Sequence, residues 1–234
     1  MTLYVGTSGW AYSAWKPGFY PPKLPSKDFL RFYATQLNAV EANYTFRRFL
    51  TPEIVKTWLE QTPRTFRFAV KAHQSITHFR RLKNVEEPLH LFLDSIQPLA
   101  KARRLGPVLV QLPPNFKADA ARLSEFLKLL PRRFRFAFEF RHESWFSEEI
   151  FALLRRKKVA LCVAETDDFQ TPAITTAEFA YYRLRRSDYS RPARRKIASD
   201  MRRRMGESAE VYAFFKHEER PESPLWAREL LNAV

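Results

Sequence analysis

The chain has 234 residues, 45% hydrophobic and 15% aromatic, which suits one β/α-type domain with a substantial core and excludes a disordered chain. Its 40 Lys and Arg against 25 Asp and Glu leave a formal net charge of +15, which favours an anionic partner such as nucleic acid or a phosphorylated substrate. The single cysteine, Cys162, excludes a disulfide framework and a cysteine metal site, and no apolar run approaches the roughly 20 residues of a membrane helix. The strand-like opening LYVGTSGW has no basic-then-apolar leader, so the expected setting is reducing and cytoplasmic.

In chain order, Leu3–Thr7 reads as a first strand, followed by an aromatic, proline-rich loop through Pro25. Trp10, Tyr12, Trp15, Phe19 and Tyr20 in that loop would either stack bases or sugar rings over a binding site or pack on their own prolines. Ser26 is placed to cap a helix carrying Phe29, Leu30, Phe32, Tyr33 and Leu37. A strand at Ala39–Asn43 leads to the turn Tyr44-Thr45-Phe46-Arg47-Arg48. Thr51-Pro52 starts a helix whose buried stripe is Ile54, Val55, Trp58 and Leu59. Phe66–Lys71 alternates phenylalanines with Arg67, Ala69 and Lys71.

A helix follows at about Leu89–Ala102, with Pro98 expected to kink or split it. Gly106-Pro107 punctuates, and Val108–Leu112 reads as a short buried strand stopped by Pro113-Pro114. A helix at about Asp119–Leu130 precedes the stretch FRFAFEFRHESW. There Phe134, Phe136, Phe138 and Phe140 alternate with Arg135, Ala137, Glu139 and Arg141 at the strand period of two. The phenylalanine face would lie under helices and the other face would point into a barrel or cleft, with His142, Glu143 and Trp145 leaving the strand. Ser147 caps a helix to Lys157, Val159–Ala164 is the sixth strand, and Glu165–Thr176 is a loop with at most one helical turn. Phe179–Leu184 is the seventh strand, Pro192–Met205 an arginine-rich helix, Val211–Phe215 the eighth strand and Pro224–Asn232 a last helix.

Eight strands alternating with about seven helices predict a single, compact (β/α)8 barrel with a short or missing helix after strand 6. An open doubly wound sheet is the alternative. The five glycines supply neither a dinucleotide-binding turn nor a phosphate loop for it.

Strand parity then sends Glu41, Asn43, Lys71, Gln111, Glu139, Arg141 and Arg183 toward one mouth of the barrel. Glu139 is the expected acid or base, Glu41 its partner, Lys71 a base, imine-forming amine or counter-ion, and His142 a proton shuttle or a hydrogen-bonded loop residue. Lys71, Arg141 and Arg183 would hold an anion, with Asn43 and Gln111 orienting it and Trp145, Trp10 and Tyr12 as further ligand contacts. The alternative is an internal salt-bridge network of Lys71 and Arg183 with Glu41 and Glu139 that only closes the barrel. Between Arg183 and Arg204, ten Lys and Arg face only Asp188 and Asp200. Arg185, Arg186, Arg194 and Arg195 are therefore candidate nucleic-acid contacts. His73, His78, His90, His142 and His217 form no HxxxH or HxH pair and Asp167-Asp168 is isolated, so neither a metal nor a cofactor is expected.

Taken together, GTSGWAYSAW with FYP, VEANYTF, TPRTFRFAVK with Ile76–His78, LGPVLVQLPPNF and FEFRHESWF resemble the YecE-like family, known as domain of unknown function seventy-two, over essentially the whole chain. The resemblance implies a TIM-type barrel with its shared polar residues at the C-terminal mouth. It also implies an architecture similar to apurinic-endonuclease and sugar-isomerase barrels, from which a nucleic-acid role follows by analogy only. The chain departs from the family pattern at Thr45-Phe46-Arg47-Arg48-Phe49, at Arg183-Leu184-Arg185-Arg186 and at Phe215-Lys216-His217, and the last two strand ends are more basic than usual.

The expected function is therefore a metal-independent hydrolase or lyase using a Glu acid/base on a phosphate-bearing ligand. The alternatives are a non-catalytic nucleic-acid binder or an enzyme on a small sugar-like or anionic metabolite.

Overall fold

The structure, a computed structural model, describes residues 1–216 and 220–234; His217 lies outside the described residues. Eight parallel strands run β1 (Thr2–Thr7), β2 (Ala39–Ala42), β3 (Arg67–Lys71), β4 (Leu105–Gln111), β5 (Phe136–Glu139), β6 (Ala160–Glu165), β7 (Phe179–Leu184) and β8 (Glu210–Phe215). They pair in the order β1-β8-β7-β6-β5-β4-β3-β2. Among the described residues seven α-helices follow strands on the outside: α1 (Phe29–Gln36), α2 (Pro52–Gln61), α3 (Glu86–Lys101), α4 (Ala120–Leu129), α5 (Glu148–Arg156), α6 (Arg191–Glu207) and α7 (Glu222–Ala233). Strand 6 is followed by loop alone, as expected. The fold is a TIM-type barrel.

The β1–β2 seam closes the circle differently from the others. A parallel bridge joins Ser8 to Glu41, and Gly9 N–H donates to the Glu41 carbonyl at 2.9 Å. Below it side chains stitch the strands: Asn38 accepts from Val5 N–H at 2.7 Å and donates to the Leu3 carbonyl at 2.8 Å. Tyr33 Oη accepts from Thr7 N–H at 2.8 Å. The strands approach so closely that a Cβ on Gly6 would lie 1.9 Å from the Ala39 carbonyl oxygen, so only glycine fits.

The barrel interior is filled asymmetrically. Ala39, Ala69, Ala137, Ala160 and Ala164 project from β2, β3, β5 and β6, and Phe179, Tyr181, Tyr212 and Phe214 from β7 and β8 fill the space they leave. Complementary small and large residues give a packed interior and not a pore. The strand phenylalanines Phe66, Phe68, Phe136, Phe138 and Phe140 are buried on the other side, beneath the helices. Helix starts follow their caps: Thr51, Asp119, Ser147 and Ser190 each accept from a backbone N–H three residues on.

Three local expectations need correction. Pro98 does not split α3, which runs unbroken from Glu86 to Lys101; its buried face of Phe92, Leu93, Ile96 and Leu99 outweighs one lost hydrogen bond. Gly106-Pro107 lies inside β4 and not before it. The β3–β4 register shifts between Phe68 and Val70, and this bulge accommodates a proline that has no N–H to give. Ser26 opens a short 3-10 turn (Ser26–Asp28) ahead of α1 and makes no side-chain cap.

Candidate functional site

The strand ends deliver their polar residues to one mouth, in two layers. The lower layer is a closed network. The β4–β5 register places Gln111 opposite Glu139, and Gln111 Nε2 donates to Glu139 Oε2 at 2.8 Å. Arg183 from β7 spans the barrel, donating from Nη1 to Glu139 Oε2 at 2.5 Å and from Nη2 to Glu41 Oε1 at 2.7 Å. Ser8 Oγ and Tyr181 Oη donate to the two Glu41 oxygens, each at 2.7 Å. Arg185 lies 3.4 Å from Glu139 Oε1. Glu41, Glu139 and Arg183 are all but fully buried.

Charge balances within this layer, two carboxylates against two guanidiniums. Burial alone would raise both carboxyls, but Arg183 and the surrounding donors outweigh it. Glu41 is held below the usual carboxylate range and Glu139 is pulled down to about 2. A general acid must carry a proton near neutrality, and these two groups do not. Their oxygens are moreover occupied by donors. Glu139 and Glu41 are thus placed as counter-ions that fix Arg183 and Gln111. The barrel-closing network weighed above is present at this level, without Lys71 among its ion pairs.

Above the network opens a cavity of about 570 Å³. Arg47 and Arg48 reach it from the turn after β2, Lys71 from β3, Arg141 from the exit of β5, Arg183 and Arg185 from β7 and Lys216 from β8. Among the described residues no carboxylate lines it. Lys71 Nζ donates to Gln111 Oε1 at 2.7 Å and lies 4.0 Å from the centre of the Phe46 ring. Burial, and then the Arg183 charge, push its pKa from 10.5 to about 7 against the opposing pull of Glu139 and Glu41. The side-chain oxygen of Asn43 and the Nε of Arg183 are buried with no hydrogen-bond partner among the described residues, which leaves an acceptor and a donor for a ligand.

Of the expected site residues, Glu41, Asn43, Lys71, Gln111, Glu139, Arg141, Arg183 and Arg185 gather here. The others do not. Trp145 is fully buried, stacked on Phe140 at 4.6 Å with its indole N–H donating to the Phe116 carbonyl at 2.6 Å. Trp145 is the last residue of the 3-10 turn Glu143–Trp145, which turns its ring into the core. His142 accepts from Ser144 N–H at 3.2 Å, capping that turn. Trp10 packs edge-on against Trp58, and Tyr12 donates to the Ser8 carbonyl and lies against Trp15. With Tyr20 stacked on Phe29 at 4.2 Å, the N-terminal aromatics coat α1 and α2 and do not roof the mouth. Arg186 pairs with Glu165 beside the mouth. Arg194, bonded to Glu229, and Arg195 line a separate groove between α6 and α7.

Sequence parity missed Tyr44, Phe46, Arg47, Arg48 and Lys216, because all lie just past a strand end where alternation no longer applies. The available signal was basic or aromatic residues directly after each strand. His78 was also missed: it sits on a π-helical turn (Ser75–Phe79) after β3, with its ring 4.9 Å from Phe46, and burial followed by Lys71 and Arg141 lowers its pKa. Arg81, Leu82 and Asn84 in the same loop have positive φ, and π turns and such backbone collect at functional sites. Among the described residues no cluster of three or more His, Cys, Asp or Glu is placed to hold a metal ion, and no helix is long and apolar enough to cross a membrane.

The profile of the family described as "Protein of unknown function DUF72" matches residues 4–234. The chain belongs to this family. UPF0759 protein YunF of Bacillus subtilis (strain 168) is 31% identical over 155 residues, covering 64% of this chain and 54% of YunF. UPF0759 protein YecE of Escherichia coli (strain K12) is 33% identical over 147 residues, covering 62% of this chain and 51% of YecE. The match thus spans about half the length of these curated relatives. The crystal structure of a DUF72 family protein from Thermotoga maritima MSB8 superposes with a TM-score of 0.87 at 28% identity, covering 99% of this chain and 98% of that one. The DUF72 resemblance seen in the motifs and the barrel it implied are therefore both confirmed.

Proposed function

We propose that this DUF72 barrel binds and acts on a phosphate-bearing ligand at its C-terminal mouth, with Lys71 and not Glu139 as the reacting group. One observation carries the reading: seven Lys and Arg side chains, two of them balanced by the carboxylates beneath, converge on a cavity of about 570 Å³ that no described carboxylate lines. Holding like charges together around one space is unfavourable until an anion enters it. Arginine forks match phosphate oxygens two at a time. The buried carboxylates beneath aim Arg183 and Gln111 without facing the ligand, so they orient the site and leave its field positive.

Nucleic acid is the leading ligand class. Tyr44 is 39% exposed at the cavity, and Phe79, with Arg80 and Arg81 beside it, is 73% exposed on the loop after β3. Exposed aromatics interleaved with arginine suit stacked bases and a phosphate backbone. A small phosphorylated metabolite is the second reading, favoured by a cavity volume within the ordinary range for small-molecule sites. The test is binding of labelled single- and double-stranded DNA and RNA, and of pyrophosphate, across a salt series, followed by a search for products from each bound form. A steep salt slope for a polynucleotide, with a shallower slope and weaker binding in Arg141→Ala, supports the first reading. Binding of pyrophosphate alone supports the second. Failure of every phosphate compound to bind at low salt overturns both.

A further inference from the structure

We propose that Lys71 forms an imine with the aldehyde or ketone of a phosphate-bearing ligand seated in the barrel mouth. The inference rests on the phosphate reading above and adds the reacting group that the ligand must carry. Its starting point is the partner of Lys71, which is an amide oxygen and not a carboxylate. Among the described residues Lys71 makes no ion pair, although both Glu41 and Glu139 lie in the layer below. That partner cannot be exchanged by flipping the Gln111 amide. Glu139 is ionised and only accepts, so Gln111 must present its NH2 to Glu139 and its oxygen to Lys71. One Nζ proton is thereby fixed, Phe46 covers one side at 4.0 Å, and the remainder of the amine faces the cavity.

An amine attacks a carbonyl only when uncharged, and three features of the site favour that form. The amine is partly desolvated, Arg183 and Lys216 repel a charge on it, and the favourable pull of Glu139 and Glu41 is largely spent on Arg183. A lysine made nucleophilic by burial beside other cations is a known way to activate an imine-forming amine.

The step balances without an outside oxidant or reductant. The Nζ lone pair forms a bond to the carbonyl carbon as the C–O π bond breaks, and a proton passes from nitrogen to the oxygen. The hydroxyl takes one further proton from solvent at the open mouth and leaves as water while the nitrogen lone pair forms the second C–N bond, giving a protonated C=N bond. The positive charge that returns to nitrogen is offset by the ligand phosphate, which explains why one cavity holds both a poised amine and excess cation.

The test uses the whole protein and borohydride trapping, in which hydride reduces the C=N bond to a stable secondary amine. The protein is mixed at pH 7 with glyceraldehyde 3-phosphate, with unphosphorylated glyceraldehyde, or with an oligonucleotide carrying a terminal aldehyde, then reduced and peptide-mapped by mass. Expected is an adduct on Lys71 formed at least tenfold faster than on any other lysine and at least tenfold faster with a phosphorylated aldehyde than without phosphate. Inorganic phosphate suppresses it, Lys71→Arg abolishes it, and Lys128→Arg, at an exposed position of α4 away from the mouth, retains it. The faster of the two phosphorylated probes identifies the source of the phosphate. Adducts spread evenly over surface lysines, or unchanged in Lys71→Arg, overturn the inference. Thermal stabilisation by inorganic phosphate, measured in parallel, separates the failures: stabilisation without a Lys71 adduct removes the imine and leaves the phosphate reading, and neither removes both.

Discussion

Both ends of the barrel carry an arginine bracketed by carboxylate and tyrosine, built to different standards of charge balance. At the N-terminal end Arg135 donates to Glu210 and, at 2.8 Å, to Tyr212, whose hydroxyl donates to Glu210 at 2.8 Å. One cation meets one anion, partly exposed, above Tyr4 stacked on Tyr212 at 4.8 Å. At the C-terminal end Arg183 meets two carboxylates, fully buried, and a ring of further cations stands over them. The first arrangement plugs the barrel and asks nothing of a ligand. The second satisfies its lower layer and leaves its upper layer positive, as a site prepared for an anion would be.

The largest expected effect comes from breaking the arginine at each end. Arg183→Met leaves Glu41 and Glu139 buried without their main partner and is expected to cost about 3–5 kcal/mol in urea unfolding. Arg135→Met removes a partly exposed pair and should cost about 1 kcal/mol or less. Equal losses would erase the distinction between the two ends.

Acid and base limbs of the stability curve sharpen it next. The Glu139 carboxyl is depressed in the fold, so its contribution is complete above about pH 4.5 and is lost as pH falls toward about 2. Glu139→Gln should flatten that limb. Lys71 runs the other way. Below pH 7 folded and unfolded chains both hold its proton and the burial penalty is in full force. Above pH 7 the folded amine releases its proton while the unfolded one keeps it, so stability rises with pH by up to about 1.4 kcal/mol per unit. Between pH 7 and 9 that rise should be present in wild type and absent in Lys71→Met; a rise surviving the substitution would place the depressed group elsewhere.

Smaller effects test the cavity wall. Arg141 is exposed and outside the lower network, so Arg141→Ala should change stability by no more than about 0.5 kcal/mol. It should weaken pyrophosphate binding about tenfold, measured by calorimetry at low salt. Smallest of all, Arg194→Ala with Arg195→Ala should leave that affinity unchanged, because this pair lines the α6–α7 groove.

Much of this was legible in the residues. Strand alternation in FRFAFEF and FRFAVK carried parity, and parity placed Glu41, Lys71, Gln111, Glu139 and Arg183 on one face of a barrel. Parity says nothing of height, however. It could not tell that Arg183 would reach down to pair with both carboxylates. Nor does alternation extend past a strand end, which is why Arg47, Arg48 and Lys216 went unassigned and Trp145 was given to the ligand. The arginine-rich stretch shows another limit of sequence: charge counts ignore partners. Arg194, Arg203 and Arg204 meet Glu229, Asp200 and Glu207, and Arg204 also ties down the loop after β6 through Thr175 and Ala173.

The most direct measurement is thermal unfolding of wild type, Arg141→Ala and the Arg194→Ala, Arg195→Ala double variant with and without pyrophosphate at low salt. An anion site at the mouth predicts a rise in Tm with pyrophosphate in wild type and in the double variant, and a much smaller rise in Arg141→Ala. An equal rise in all three, or none in wild type, would contradict it.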